Sequence, residues 1–169
     1  MKRTVFLLAA LLLGCLAAPA QKYALIDMEY IFSRIPAYEM ANDQLNQVSK
    51  KWQAEIDALT AEAKKLYADY QAQEIYLSAE QKKVKEEEIL AKEKAAADLK
   101  RTYFGSEGEL YKKRESLLTP IQDEIYNAVK GLAEDRGYQL ILDRASGVNI
   151  VFASPAIDVS DDVLKKMGY

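Results

Sequence analysis

Two aspartates, Asp27 and Asp143, stand at the ends of β-favouring runs and are the first candidates for acid–base work. Such work needs two groups whose surroundings push their pKa values apart. The two could approach each other in the body, but the pattern predicts instead that each caps a helix or ends a strand. The run Glu86-Glu87-Glu88 offers three carboxylates to a metal, but consecutive helix positions point in different directions. With Lys82, Lys83 and Lys85 it reads as a solvated face of i,i+3 and i,i+4 pairs. Gly105-Ser106-Glu107-Gly108 has the small residues of a phosphate clamp but lies in a helical context, without a Gly-rich loop following a strand. The chain contains no histidine and one cysteine, Cys15. The commonest general base and metal ligand is therefore missing, and no nucleophile–base pair is visible. The residues argue against an enzyme, with no cofactor and no metal expected.

The N-terminus reads as an export signal. Lys2 and Arg3 precede an uninterrupted apolar run from Val5 to Leu13, and Ala18-Pro19-Ala20 forms a small-residue cleavage site. The run is too short to span a bilayer, which needs roughly 20 residues. Cleavage between Ala20 and Gln21 is expected, leaving 149 residues and no cysteine, hence no disulfide. The competing reading takes Leu13-Gly14-Cys15 as a lipidation box with an acylated Cys15. Both export the protein. Losing Lys2 and Arg3 leaves 21 basic against 26 acidic residues. Such a balance does not grip polyphosphate through bulk charge, and no nucleic-acid partner is expected.

Glycine and proline divide the remainder. No glycine occurs from Gln21 to Phe104 and no proline from Ala37 to Thr119, while Ala, Glu, Lys, Gln and Leu fill the interval. The pattern predicts a long helical insert, residues 38–115, within a small discontinuous body of residues 21–37 and 116–169. In the body, Lys22 to Asp27 reads as a strand, Asp27 as an N-cap for a short helix over Met28–Ser33, and Pro36 as the first turn of the next helix. Leu45, Val48, Trp52, Ile56, Leu59, Ala63, Leu66 and Tyr70 then recur about every 3.57 residues, between a straight helix and a coiled-coil seam. A capping box, Ser78-Ala79-Glu80-Gln81, follows Ile75-Tyr76-Leu77 and marks the reversal, with the tip near 76–80. Residues then meet across the hairpin when their numbers sum to about 155. Trp52 should face Tyr103, Leu45 face Leu110 and Leu66 face Ile89, with Val48 and Leu59 completing the seam. Gly105 and Gly108 mark a soft point, costing about 1 kcal/mol each inside a helix. Pro120 suggests a kink and Gly137 a C-terminal cap. Two strands, Tyr138–Asp143 and Val148–Ala153, are expected as a hairpin around Arg144-Ala145-Ser146-Gly147. Asp158-Val159-Ser160-Asp161 is expected to cap a short closing helix, Asp161 to Met167.

A body this small gains little net stability from one core. Three short strands also leave two open edges. Tyr23, Leu25, Leu140, Leu142, Val148, Ile150 and Phe152 are therefore expected to build an oligomerisation surface, closed by symmetry.

The supporting pieces are Tyr23-Ala24-Leu25-Ile26-Asp27, Ile31-Phe32, Ile121 with Ile125, Gly137-Tyr138, Leu140-Ile141-Leu142-Asp143 and the Asp158–Lys165 run. In this order and spacing the chain resembles the Skp/OmpH family of periplasmic chaperones over essentially its whole mature length. The resemblance implies an α+β, predominantly helical fold: a small β-body of three short strands per chain, a long antiparallel helical-hairpin arm, and a tentacled homotrimer. It implies an ATP-independent holdase in a Gram-negative periplasm, with unfolded outer-membrane β-barrel proteins as partners. For the strongly basic members of the family the resemblance suggests lipopolysaccharide or anionic lipid as a further partner. From Asp43 to Glu115 this arm carries 14 basic and 15 acidic residues, which argues against that partner here.

A holdase requires weak, adaptable and repeated contacts. Tyr67, Tyr70, Tyr76, Leu77, Phe104 and Tyr111 are the client-binding candidates, since tyrosine offers a broad ring at low entropy cost. The alternative is a periplasmic coiled-coil spacer or envelope scaffold, anchored through Cys15.

Overall fold

The computed structural model describes residues 22–147 and 150–169. The expected cleavage site at Ala20 and Gln21, the lipidation reading at Cys15 and the edge residue Val148 lie outside them. Among the described residues the elements run β1 (Tyr23–Ile26), α1 (Met28–Ser33), α2 (Pro36–Gln73), a 3-10 turn (Glu74–Tyr76), α3 (Ala79–Phe104), α4 (Glu109–Arg136), β2 (Leu140–Asp143), a second 3-10 turn (Pro155–Ile157) and α5 (Ser160–Met167). No described helix is long and apolar enough to cross a membrane. The chain divides into two compact units: Ile35–Glu124, called the arm, and the chain on either side of it, called the body.

Helix α2 runs 38 residues because nothing interrupts it, and Pro36 enters at its first turn, where a missing N–H costs nothing. The arm reverses after Gln73. The Ser78 hydroxyl accepts from the Gln81 amide while the Gln81 side chain accepts from the Ser78 amide, so the box expected from the sequence starts α3. The pairs Trp52–Tyr103, Glu62–Lys92 and Tyr70–Glu86 follow the predicted register closely. The fully buried positions of the facing helices are Ala41, Leu45, Ile56 and Ala63 on α2 and Ile89 and Ala96 on α3. Three are alanines, which let two backbones approach closely. The larger seam residues Val48, Trp52, Leu59, Leu66, Tyr103 and Leu110 are half-buried, flanking that line.

The soft point is a full break. Helix α3 ends at Phe104, Gly108 N–H donates to the Gly105 carbonyl, and α4 begins with Lys112 N–H on the Gly108 carbonyl. A Cβ on Gly108 would sit 2.8 Å from the Thr102 carbonyl oxygen and 2.9 Å from the Tyr103 oxygen, closer than real Cβ atoms come. Glycine is required here by close backbone approach, not by an unusual φ. Pro120 lies inside α4, which continues through it.

The body departs from expectation in its sheet. Two strands, not three, are present among the described residues, and they run parallel: Tyr23 pairs with Leu140 and Ile26 with Asp143. Ile150–Ala153 lie outside any strand, so the expected hairpin with β2 is absent there. Residues 144–147 do turn, but the Arg144 side chain reaches back to Asp27 and Asp158. The second edge of β1 is taken by a parallel bridge from Leu25 to Asp158. β1 is thus central, and its Ala24, Leu25 and Ile26 are buried. Ile31 of α1, Ile125 of α4 and Val163 of α5 are fully buried.

Candidate functional site

The carboxylates first considered for chemistry are occupied by structure. One oxygen of Asp27 accepts from the Tyr30 amide at 2.9 Å, capping α1, and the other takes Arg144 at 2.9 Å. The Tyr30 amide, and after it the guanidinium, holds this carboxyl below the ordinary aspartate range against the opposing effect of desolvation. Asp143 accepts from the amides of Met28 and Ala145. The Ser160 hydroxyl accepts from the Asp27 amide and donates to Asp158. A second latch joins Arg136 to Asp162 at 2.6 Å and lowers the Asp162 pKa. The cleft of about 340 Å³ beside Asp27, Tyr30, Arg144 and Asp158 is therefore bounded by groups already committed to one another. Glu87 and Glu88 pair with Lys83 and Lys85, whereas Glu86 faces Tyr70, so the three glutamates diverge as helix geometry requires. No cluster of metal-ligating side chains occurs among the described residues.

The arm differs in what it leaves uncovered. Tyr76 is 82% exposed and lies within the reversal next to half-buried Leu77. Tyr67 is half-exposed, and its hydroxyl and that of Tyr76 have no protein partner among the described residues. Tyr70 is more enclosed and donates to Glu86 at 2.6 Å; that bond, with minor help from desolvation, pushes its pKa up to about 12. Tyr111 likewise donates to Glu115, one turn further along α4. Phe104 sits edge-on to Trp52 with ring centroids 6.4 Å apart, while Tyr103 stacks on Trp52 at 4.6 Å and donates to Glu55. The structure therefore gathers Tyr67, Tyr70, Tyr76 and Leu77 in the distal arm and places Phe104 in the aromatic cluster around Trp52.

Ile75, Val84 and Leu90 are also exposed in the distal arm, and the sequence reading did not select them. Their signal was the helical period itself. Val84 and Leu90 fall off the seam that passes through Ile89, and an apolar residue off the seam of a two-helix hairpin has nowhere to bury. In the body, Tyr23 and Leu140 are exposed, Leu142 and Ile150 are half-buried, Leu25 is buried, and Val151 and Phe152 are almost wholly exposed.

Fold and site together define a class: a protein with a small latched body and a long helical arm that displays several apolar side chains among charges. A sequence model described as outer membrane protein (OmpH-like) matches residues 22–167. The chain belongs to this OmpH-like, or Skp, family of outer membrane protein chaperones, and it is not an enzyme. Membership points to the cell envelope. The fold is similar to a crystal structure from Caulobacter crescentus CB15, described as an OmpH-like outer membrane chaperone candidate, with a TM-score of 0.68 and 14% identity. That alignment covers 89% of this chain and 86% of the other. No curated protein matches the sequence.

Proposed function

We propose that the protein is an ATP-independent periplasmic holdase that binds unfolded outer-membrane β-barrel proteins in transit and prevents their aggregation. The observation that carries this reading is the set of uncovered apolar side chains on the distal arm: Tyr67, Ile75, Tyr76, Val84 and Leu90. Single exposed apolar residues are ordinary, but several gathered in one region of the surface mark an interaction site. Contacts of this kind are individually weak. About ten, each contributing a few tenths to 1 kcal/mol, reach the roughly −8.2 kcal/mol of a micromolar complex. Release needs no nucleotide, because a client that inserts as a barrel hides its apolar strands and its affinity falls by mass action.

The working form in this reading is a homotrimer, with several arms raising avidity. Val151 and Phe152, exposed in the stretch that follows β2 in sequence, support the body as the assembly surface. An isolated two-stranded sheet is marginal without such company.

The test is dilution of a urea-denatured outer-membrane protein into buffer containing the mature chain without ATP. Light scattering should be suppressed at near-stoichiometric amounts. Replacing Tyr67, Ile75, Tyr76 and Leu90 with serine should abolish most of that protection while the mass in solution stays unchanged. Undiminished protection by this variant, or none by the parent protein, refutes the reading. Mass determination by light scattering checks the trimer separately.

A further inference from the structure

A groove of about 290 Å³ on the distal arm is lined by Tyr67, Tyr70, Glu86, Ile89, Leu90 and Glu93. Its apolar part is formed by Ile89, exposed Leu90 and the Tyr67 ring. Its charged part is acidic only. Four lysines of α3 are engaged elsewhere, Lys82 with Glu74, Lys83 with Glu87, Lys85 with Glu88 and Lys92 with Glu62, and Lys94, next to Glu93 in sequence, does not line the groove. Glu86 takes a single hydrogen bond, at one oxygen, from Tyr70, and Glu93 has no ion-pair or hydrogen-bond partner among the described residues. The two glutamates are seven positions apart on α3, two turns along one face, about 10.5 Å at 1.5 Å per residue. Leu90 lies between them in sequence.

Resting on the chaperone reading, we propose that this groove selects extended client segments in which an apolar or aromatic residue is flanked by lysine or arginine. The apolar side chain covers Leu90 and the Tyr67 ring, and the flanking cations meet Glu86 and Glu93. Charge complementarity supplies the choice of occupant: a segment with acidic flanks would bring like charges to two carboxylates that no groove cation offsets. Contacts this exposed are modest and screened by salt, so the expected preference for basic over acidic flanks is about fivefold at low ionic strength.

The experiment uses the full mature protein and three dye-labelled peptides sharing one apolar core, flanked by lysine, serine or glutamate, with binding read by fluorescence anisotropy. The lysine-flanked peptide should bind tightest. Its advantage should disappear at high salt, shrink in Glu93→Gln, and vanish in the Glu86→Gln, Glu93→Gln double variant. The amide oxygen that Glu86→Gln introduces still accepts the Tyr70 bond, so the hairpin is preserved. Leu90→Ser should weaken all three peptides alike. Equal binding of the three, a preference that survives the double variant, or peptide affinities untouched by Leu90→Ser would each overturn the proposal. So would loss of oligomeric mass in Leu90→Ser with no peptide bound by the parent, which would assign the groove to a second copy of the chain. The light-scattering assay separates the two readings. Suppressed aggregation without peptide preference removes the groove and leaves the holdase; preference without suppression does the reverse.

Discussion

The arm and the body close over different distances along the chain. In the arm, Tyr70 reaches Glu86 over 16 residues, Lys92 reaches Glu62 over 30 and Tyr103 reaches Glu55 over 48. In the body, Met28 reaches Asp143 over 115 residues, Arg144 reaches Asp27 over 117 and Asp27 reaches Ser160 over 133. The arm can zip from its capped reversal, each contact shortening the next loop, whereas the body must wait for distant segments to meet. The surfaces differ correspondingly. The body buries Ile31, Ile125 and Val163 completely and fastens its polar groups to each other, while the arm buries one narrow line and leaves apolar side chains outside it. Stability is concentrated in one region and adaptable surface in the other.

The largest test of that division is a cavity in the body. Ile31→Ala should cost about 2–5 kcal/mol, because a fully buried side chain is removed from packing that can collapse only in part. Hydrogen exchange should show the loss in body segments, and protection of clients by the arm should persist at temperatures where the body still holds. Next comes Gly108→Ala. Its methyl group would press on the Thr102 and Tyr103 carbonyls, and about 1–3 kcal/mol of overpacking strain should appear as a lower urea midpoint. Trp52, the single tryptophan, reports the arm directly through its fluorescence.

pH should separate the regions from opposite sides. Asp27 and Asp162 have folded pKa values below the ordinary 3.8, so their contribution is present above that value and is lost as pH falls through and below it. Tyr70 is raised from 10.0 to about 12, so its bond to Glu86 contributes fully below pH 10 and is lost as pH rises toward 12. Tyr103 is shifted the same way by Glu55, beside Trp52. Acid should therefore loosen the body first, seen by exchange near Asp27, and alkali the arm first, seen in Trp52 emission. Simultaneous loss at both extremes would merge the two regions into one cooperative unit. The smallest expected effect on stability is Ile75→Ser with Tyr76→Ser, within about 0.5 kcal/mol because neither side chain is packed, yet client protection should fall.

Much of this was legible in the residues. Asp27 caps α1 and Ser78 with Gln81 caps α3, because a capping hydrogen bond spans three residues and is encoded where it is made. The hairpin register followed from the apolar period and the site of reversal, and it set Trp52 against Tyr103. The exposed residues Val84 and Leu90 were less legible, since period alone names a seam and an apolar residue beside it looks like more seam until the partner helix is in place.

By itself the sequence determined the elements and their local joints, because helix propensity, caps and glycine placement act over a few residues. Only tertiary structure decided that β1 and β2 run parallel, that Arg144 clasps Asp27 and Asp158, and that Glu86 and Glu93 share an acidic groove. These depend on which groups meet after long loops close, and strand direction and charge pairing at that range carry no local period that a linear reading can detect.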